Sequence, residues 1–177
     1  MTRRVGFLRA VNVGKRRVAM SRLTQVCRDL GHTDVWTYVN SGNVIFSATG
    51  PRAAIESRLE KALEAEFGFE CTTFVRTTAE LRAILDVEPF EVAAGDTYFV
   101  TFLKVAPSKA DAATLEGLSN EFESLVVRGA EVHWRMHGKS TDSKLVKRDW
   151  EKVLGVNSST SRNTTMLRKL AAKAAAQ

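Results

Sequence analysis

An α+β fold built from two split βαβ plaits, with an added C-terminal helix, is what the chain predicts. Three observations carry it. Short β-forming and helical runs follow the order β-α-β-β-α-β through the first eighty residues, and most of that order returns in the second half. A polar hairpin tip, Asn40-Ser41-Gly42-Asn43, joins the middle two strands, with Gly42 supplying the positive φ of a tight turn. The 177 residues carry 44% hydrophobic and 26% charged side chains, enough to build a core and too many apolar groups for a disordered chain. The topology is ferredoxin-like, twice over. Residues 1–78 form the first plait, residues 79–96 a helix and linker, and residues 97–177 a second plait-like domain ending in a helix.

The first strand reads as residues 4–11, Arg4-Val5-Gly6-Phe7-Leu8-Arg9-Ala10-Val11. A loop with one glycine and three consecutive cations, Asn12-Val13-Gly14-Lys15-Arg16-Arg17, follows it. Met20, Leu23, Val26, Cys27 and Leu30 recur at helical spacing, and Gly31 stops that helix. Val35–Val39 and Val44–Ser47 are the hairpin strands. Gly50-Pro51 opens a second helix with Ile55, Leu59, Ala62, Leu63 and Phe67 on one face, ended by Gly68. A strand over Glu70–Arg76 completes the plait. Thr77 and Glu80 have capping-box spacing for the next helix.

Glu88-Pro89-Phe90 and Ala94-Gly95-Asp96 interrupt the pattern as a linker. The second series has a strand over Tyr98–Val105 and a helix from Pro107-Ser108 to about Leu118. A hairpin turns around Arg128-Gly129-Ala130, and a helix runs from about Asp142 to Gly155. No final strand is evident there. Ser161-Arg162-Asn163-Thr164-Thr165 leads into a terminal helix carrying Met166, Leu167, Leu170 and Ala171.

Strand order brings distant residues together. A right-handed β-α-β crossover makes the first two strands parallel, so both end at the same sheet edge. The loop over 12–17 and the tip over 40–43 are therefore expected to be neighbours, gathering Arg9, Asn12, Lys15, Tyr38, Asn40, Ser41 and Asn43. Segments 9–17 and 38–43 hold no carboxylate. Donors without acids suit a small anion bearing phosphate or carboxylate, through charge-assisted hydrogen bonds. Lys144, Arg162 and Asn163 join the set if the two plaits bring them close, since both places read as helix starts, where backbone N–H groups favour anions. The bland alternative is that the asparagines hold turns and the cations are solvated.

Four blocks in this sequence, Leu8-Arg9-Ala10-Val11-Asn12-Val13-Gly14, residues 37–46, Ser143-Lys144-Leu145 and Thr160-Ser161-Arg162-Asn163, resemble the signature of a bacterial family known as domain of unknown function 1697. The resemblance spans nearly the whole chain and implies two ferredoxin-like plaits. It implies no established activity. Ala10 and Lys15 stand where the family usually has glycines, and Thr164 where it usually has tryptophan.

Other chemistry is thinly represented. Gly14-Lys15 lacks the upstream glycine and following Ser/Thr of a phosphate-binding Walker loop. His133 and His137 share a strand face without a third ligand, so no metal site is expected. Neither Cys27 nor Cys71 has a histidine partner in view, and both read as buried, reduced thiols. No general base stands out, which leaves catalysis undecided and names no cofactor. Net charge is +6, with residues 1–50 at +6 (eight Arg/Lys, two acids), 51–96 at −5 (five, ten) and 97–177 at +5 (thirteen, eight). A basic plait keeps a nonspecific nucleic-acid-binding module as the second reading, although no base-stacking block surrounds Phe7 or Phe46. No run approaches the ~20 apolar residues that cross a bilayer, and the first eight residues lack a signal-peptide core. A cytoplasmic protein of undecided oligomeric state is expected.

Overall fold

The computed structural model describes residues 1–176 and divides into two compact units. The first takes Met1–Arg82 with the residues from Leu170 on, and the second takes Ala83–Lys169. In the first unit β1 (Thr2–Leu8), α1 (Met20–Asp29), β2 (Thr33–Tyr38), β3 (Asn43–Ala48), α2 (Arg52–Phe67) and β4 (Thr73–Thr77) follow in order, and α3 (Thr78–Asp86) leads out of it. In the second unit the order is β5 (Thr97–Leu103), α4 (Lys109–Glu116), β6 (Glu123–Arg128), β7 (Glu131–Met136), α5 (Lys147–Leu154) and β8 (Ser159–Asn163), and α6 (Thr164–Ala176) closes the chain.

The sheets are β2-β3-β1-β4 and β6-β7-β5-β8, with every neighbouring pair antiparallel. These are the same ferredoxin-like order written twice. Leu8, Val44, Phe46 and Val75 of the first sheet pack on Leu23, Val26 and Cys27 of α1 and on Ile55, Leu59 and Leu63 of α2. Each fully buried aliphatic or aromatic side chain contributes roughly 2 kcal/mol. The second core joins Leu103, Leu125 and Val132 to Leu115 of α4, and the Trp134 and Trp150 rings meet 5.2 Å apart.

Edge strands leave unpaired N–H groups that invite foreign strands. Here side chains occupy several of them. Glu60 and Glu56, one turn apart on α2, accept from the N–H groups of Thr73 and Val75 on β4, both at 2.8 Å. In the second unit Glu116 accepts from Val127 N (2.8 Å) and Ser119 Oγ from Leu125 N (2.9 Å) along β6.

Three expectations change. The first strand stops at Leu8 instead of running to Val11, because Ala10 (φ 52°) and Asn12 (φ 56°) take left-handed backbone that no strand accommodates. The second plait does have its final strand. β8 reads Ser-Thr-Ser-Arg-Asn and lacks apolar alternation, since its pairing to β5 is accompanied by a Thr101–Ser161 hydroxyl contact at 2.7 Å. Finally, α5 begins at Lys147 and not near Asp142, where a single 3-10 turn (Ser140–Asp142) stands instead, so neither Lys144 nor Arg162 opens a helix.

Candidate functional site

Arg9 to Arg17 leave the end of β1, and Val39 to Gly42 connect β2 to β3 at the same edge of the first sheet. The two segments are tied by backbone and side chain. Leu8 N donates to Gly42 O (2.8 Å), and Asn12 Nδ2 donates to Asn40 O (2.8 Å). Asn12 also closes its own loop, with Nδ2 reaching Val18 O (3.2 Å) and Oδ1 accepting from Val18 N (2.9 Å). Both of its amide donors are taken by backbone carbonyls, so it holds the loop against the tip.

Asn43 does the corresponding work inside the hairpin. It is fully buried, and its Nδ2 donates to Tyr38 O (3.0 Å) and Ser41 Oγ (2.8 Å). Gly42 (φ 74°) passes so near Leu8 and Val11 that a Cβ there would lie 2.5 Å from Val11 Cγ2. Val39 takes φ 51°, which a β-branched residue adopts only under constraint. Left-handed backbone at Ala10, Asn12, Gly14, Val39 and Gly42 is thus concentrated in these two segments. Such strain persists only where surrounding contacts over-determine it, and it clusters at functional sites.

The polar groups facing outward are fewer than those named from sequence. Asn40, Ser41 and Lys15 are exposed, while Arg9, Asn12 and Tyr38 are half-buried. Arg9 anchors the start of the loop through its N–H to Thr72 O (2.8 Å). Arg17 bonds back to Gly14 O (2.8 Å), and Arg16 lies over the Phe69 ring at 5.3 Å. Lys15 makes no such contact among the described residues. Lys173 adds a cation that no local motif announces, with its Nζ 5.2 Å from the centre of the Tyr38 ring. An amphipathic tail helix gives no sign of its landing place.

Lys144, Arg162 and Asn163 belong to the second unit and have duties there. Glu123 is fully buried, and its carboxylate accepts from Lys144 N (2.7 Å), Leu145 N (3.2 Å), Ser143 Oγ (2.7 Å) and Trp134 Nε1 (2.8 Å). The anion held by the Ser143–Leu145 backbone is therefore the protein's own. Burial pushes the Glu123 carboxyl up, but the bonds from Ser143, Lys144, Trp134 and Asn120 outweigh it and hold it below the usual range. Arg162 is buried on β8, where it donates to Thr160 Oγ1 (2.8 Å) and Ser161 O (3.0 Å), and burial pulls its pKa down to about 10. Asn163 Oδ1 accepts from Thr165 N (2.8 Å) and so caps α6.

Phe7 and Phe46, the strand aromatics a base-stacking surface would use, are fully buried. Cys27 and Cys71 are free and buried, and burial raises their pKa values to about 12 and 11, so neither is a thiolate at neutral pH. His133 shares a hydrogen bond with Tyr98 through Nδ1, and His137 meets Asp96 at 3.2 Å. Among the described residues no group of three or more His, Cys, Asp or Glu is arranged to hold a metal ion, and no helix is long and apolar enough to cross a membrane.

A family model described as "Protein of unknown function (DUF1697)" matches residues 1–133. The match stops short of the blocks at 143–145 and 160–163. No curated protein matches the sequence. In structure the chain is similar to a conserved bacterial protein, SP0830, from Streptococcus pneumoniae, with 23% sequence identity, 99% of each chain covered and a TM-score of 0.74. That likeness establishes the two-plait fold along the whole chain.

Proposed function

Since the chain belongs to the family of proteins of unknown function DUF1697, whose name supplies no activity, we propose from the geometry that it binds a small anion, phosphate- or carboxylate-bearing, at the hairpin site of the first unit. One observation carries the reading. The loop after β1 is locked to a strained hairpin tip through Asn12 and Asn40, and the two acid-free segments present Arg9, Lys15, Asn40, Ser41 and the Tyr38–Lys173 pair at one sheet edge. Pre-organised donors bind an anion without the entropy cost of ordering them. Arg9 and Lys15 supply charge, Asn40 and Ser41 directional hydrogen bonds, and Asn12 and Asn43 hold the frame. Two buried, free thiols suit the reducing cytoplasm.

Lys15→Ala and Asn40→Ala are the clean tests, because both side chains are exposed and form no hydrogen bond or ion pair among the described residues. Titration of inorganic phosphate and of a small dicarboxylate, followed by calorimetry, should give a Kd that rises at least about tenfold in each variant. Thermal midpoints should stay at the wild-type value. Unchanged affinity in both variants sinks the reading, and so does absence of anion binding by the wild type. Retention of single-stranded polynucleotide with affinity falling steeply in salt would favour the nucleic-acid module instead.

A further inference from the structure

A second feature lies wholly within the second unit. A cavity of about 570 Å³ opens between the segment over 88–92, Tyr98 of β5 and the start of α6. That volume is in the range that holds small molecules. Its walls are pinned. Arg168 Nη2 donates to Leu85 O (3.0 Å) and to Glu88 Oε1 (3.1 Å). Arg135 Nη1 donates to Glu91 O (3.0 Å) and its guanidinium lies 5.3 Å from the Phe90 ring centre. Phe90 meets Tyr98 edge-on at 5.7 Å, and Thr164 Oγ1 fixes Tyr98 O at 3.1 Å.

The unused groups define the occupant. Among the described residues every hydrogen bond of the Arg168 guanidinium falls on Nη2, so donors remain on Nη1 and Nε for the oxygens of a carboxylate. The Glu91 carboxylate makes no hydrogen bond or ion pair among the described residues, and it is an acceptor for an ammonium group. Phe90, Val92 and the ring of Tyr98 supply an apolar wall, the Tyr98 hydroxyl being already committed to His133. We propose that this cavity binds a small zwitterion with an apolar or aromatic side group, for which a free amino acid such as phenylalanine is the simplest probe. The site is independent of the hairpin and goes beyond the anion-binding reading.

The test is calorimetric titration of the full chain with L-phenylalanine, phenethylamine, 3-phenylpropionate and glycine. Saturable binding of phenylalanine at millimolar concentration is expected, weakened at least about tenfold when ammonium, carboxylate or side group is missing. Glu91→Gln and Arg168→Gln should each weaken it to a similar degree, and Val92→Trp at the exposed rim should block it. Because Arg168 also braces the wall, Glu91→Gln and Val92→Trp, with unchanged thermal midpoints, keep the test decisive. Lys15→Ala should leave phenylalanine binding intact, which separates this outcome from the fate of the hairpin site. Failure of the wild type to bind phenylalanine overturns the proposal. So does equal binding of either singly charged analogue, or loss of binding in Lys15→Ala.

Discussion

Gly42 shows how a single backbone position organises the first unit. Its φ of 74° is ordinary for glycine, but a methyl group there would press on Leu8 Cβ at 3.0 Å and on Val11 Cγ2 at 2.5 Å. Gly14, in the loop across the edge, has φ 56° and nothing within 4 Å of an added Cβ. Gly14→Ala should therefore lose only the left-handed backbone preference, about 1 kcal/mol. Gly42→Ala should lose that plus the displacement of two buried side chains, in total about 2–4 kcal/mol. Urea unfolding of the two variants checks this, with equal midpoints counting against a packed tip. The turn was readable from Asn-Ser-Gly-Asn, whose residue types announce positive φ and local hydrogen bonds. The left-handed Val39 was not readable, because tertiary contacts and no local preference place a β-branched residue there.

Elements whose hydrophobic face matched their period were readable to within a few residues. α1 and α2 are the clearest, with Gly68 in left-handed conformation at the end of α2 as its sequence suggests. The Thr77–Glu80 capping box also forms, through Thr77 N to Glu80 Oε2 (2.6 Å) and Glu80 N to Thr77 Oγ1 (3.0 Å). Elements held by polar contacts escaped, β8 first among them. Ser143–Leu145 belongs to the same class, since its fold depends on Glu123, twenty residues upstream. Glu123→Gln replaces one of two acceptor oxygens by a donor that faces other donors. It should destabilise the protein by about 1–3 kcal/mol and move the Trp134 indole N–H resonance, whose partner is Glu123 Oε2. The neighbouring exposed Glu121→Gln should do neither. An unshifted indole signal in Glu123→Gln would show that the carboxylate is not the hub of this segment.

At the scale of the whole molecule the duplication was visible in element order, whereas the division between units, falling inside α3 and α6, follows contacts that no residue pattern declares. Stability against acid is likewise a property of the whole, summed over groups the fold has moved from their ordinary pKa values. Burial lowers the imidazole of His133 to about 4, aided by Arg128. Burial lowers that of His32 as well, aided by Arg58 and Arg4. In the folded state both take up protons less readily than in the unfolded chain, which does so near 6.5. Their contribution is complete above that value and is lost as pH falls below it, for His133 between 6.5 and about 4, each imidazole adding a slope of at most about 1.4 kcal/mol per pH unit. The Glu80 and Glu123 carboxyls are depressed below 4.5 despite burial, through their hydrogen bonds, so their contribution holds above 4.5 and disappears only at lower pH. Acid unfolding should thus show an upper limb owed to the histidines and a lower limb owed to the carboxylates. Urea midpoints measured across this range should decline less steeply from pH 6.5 to 4 in His133→Gln, and less steeply again when His32→Gln is added, with the lower limb unchanged. A wild-type slope that survives both substitutions would assign the upper limb to other groups.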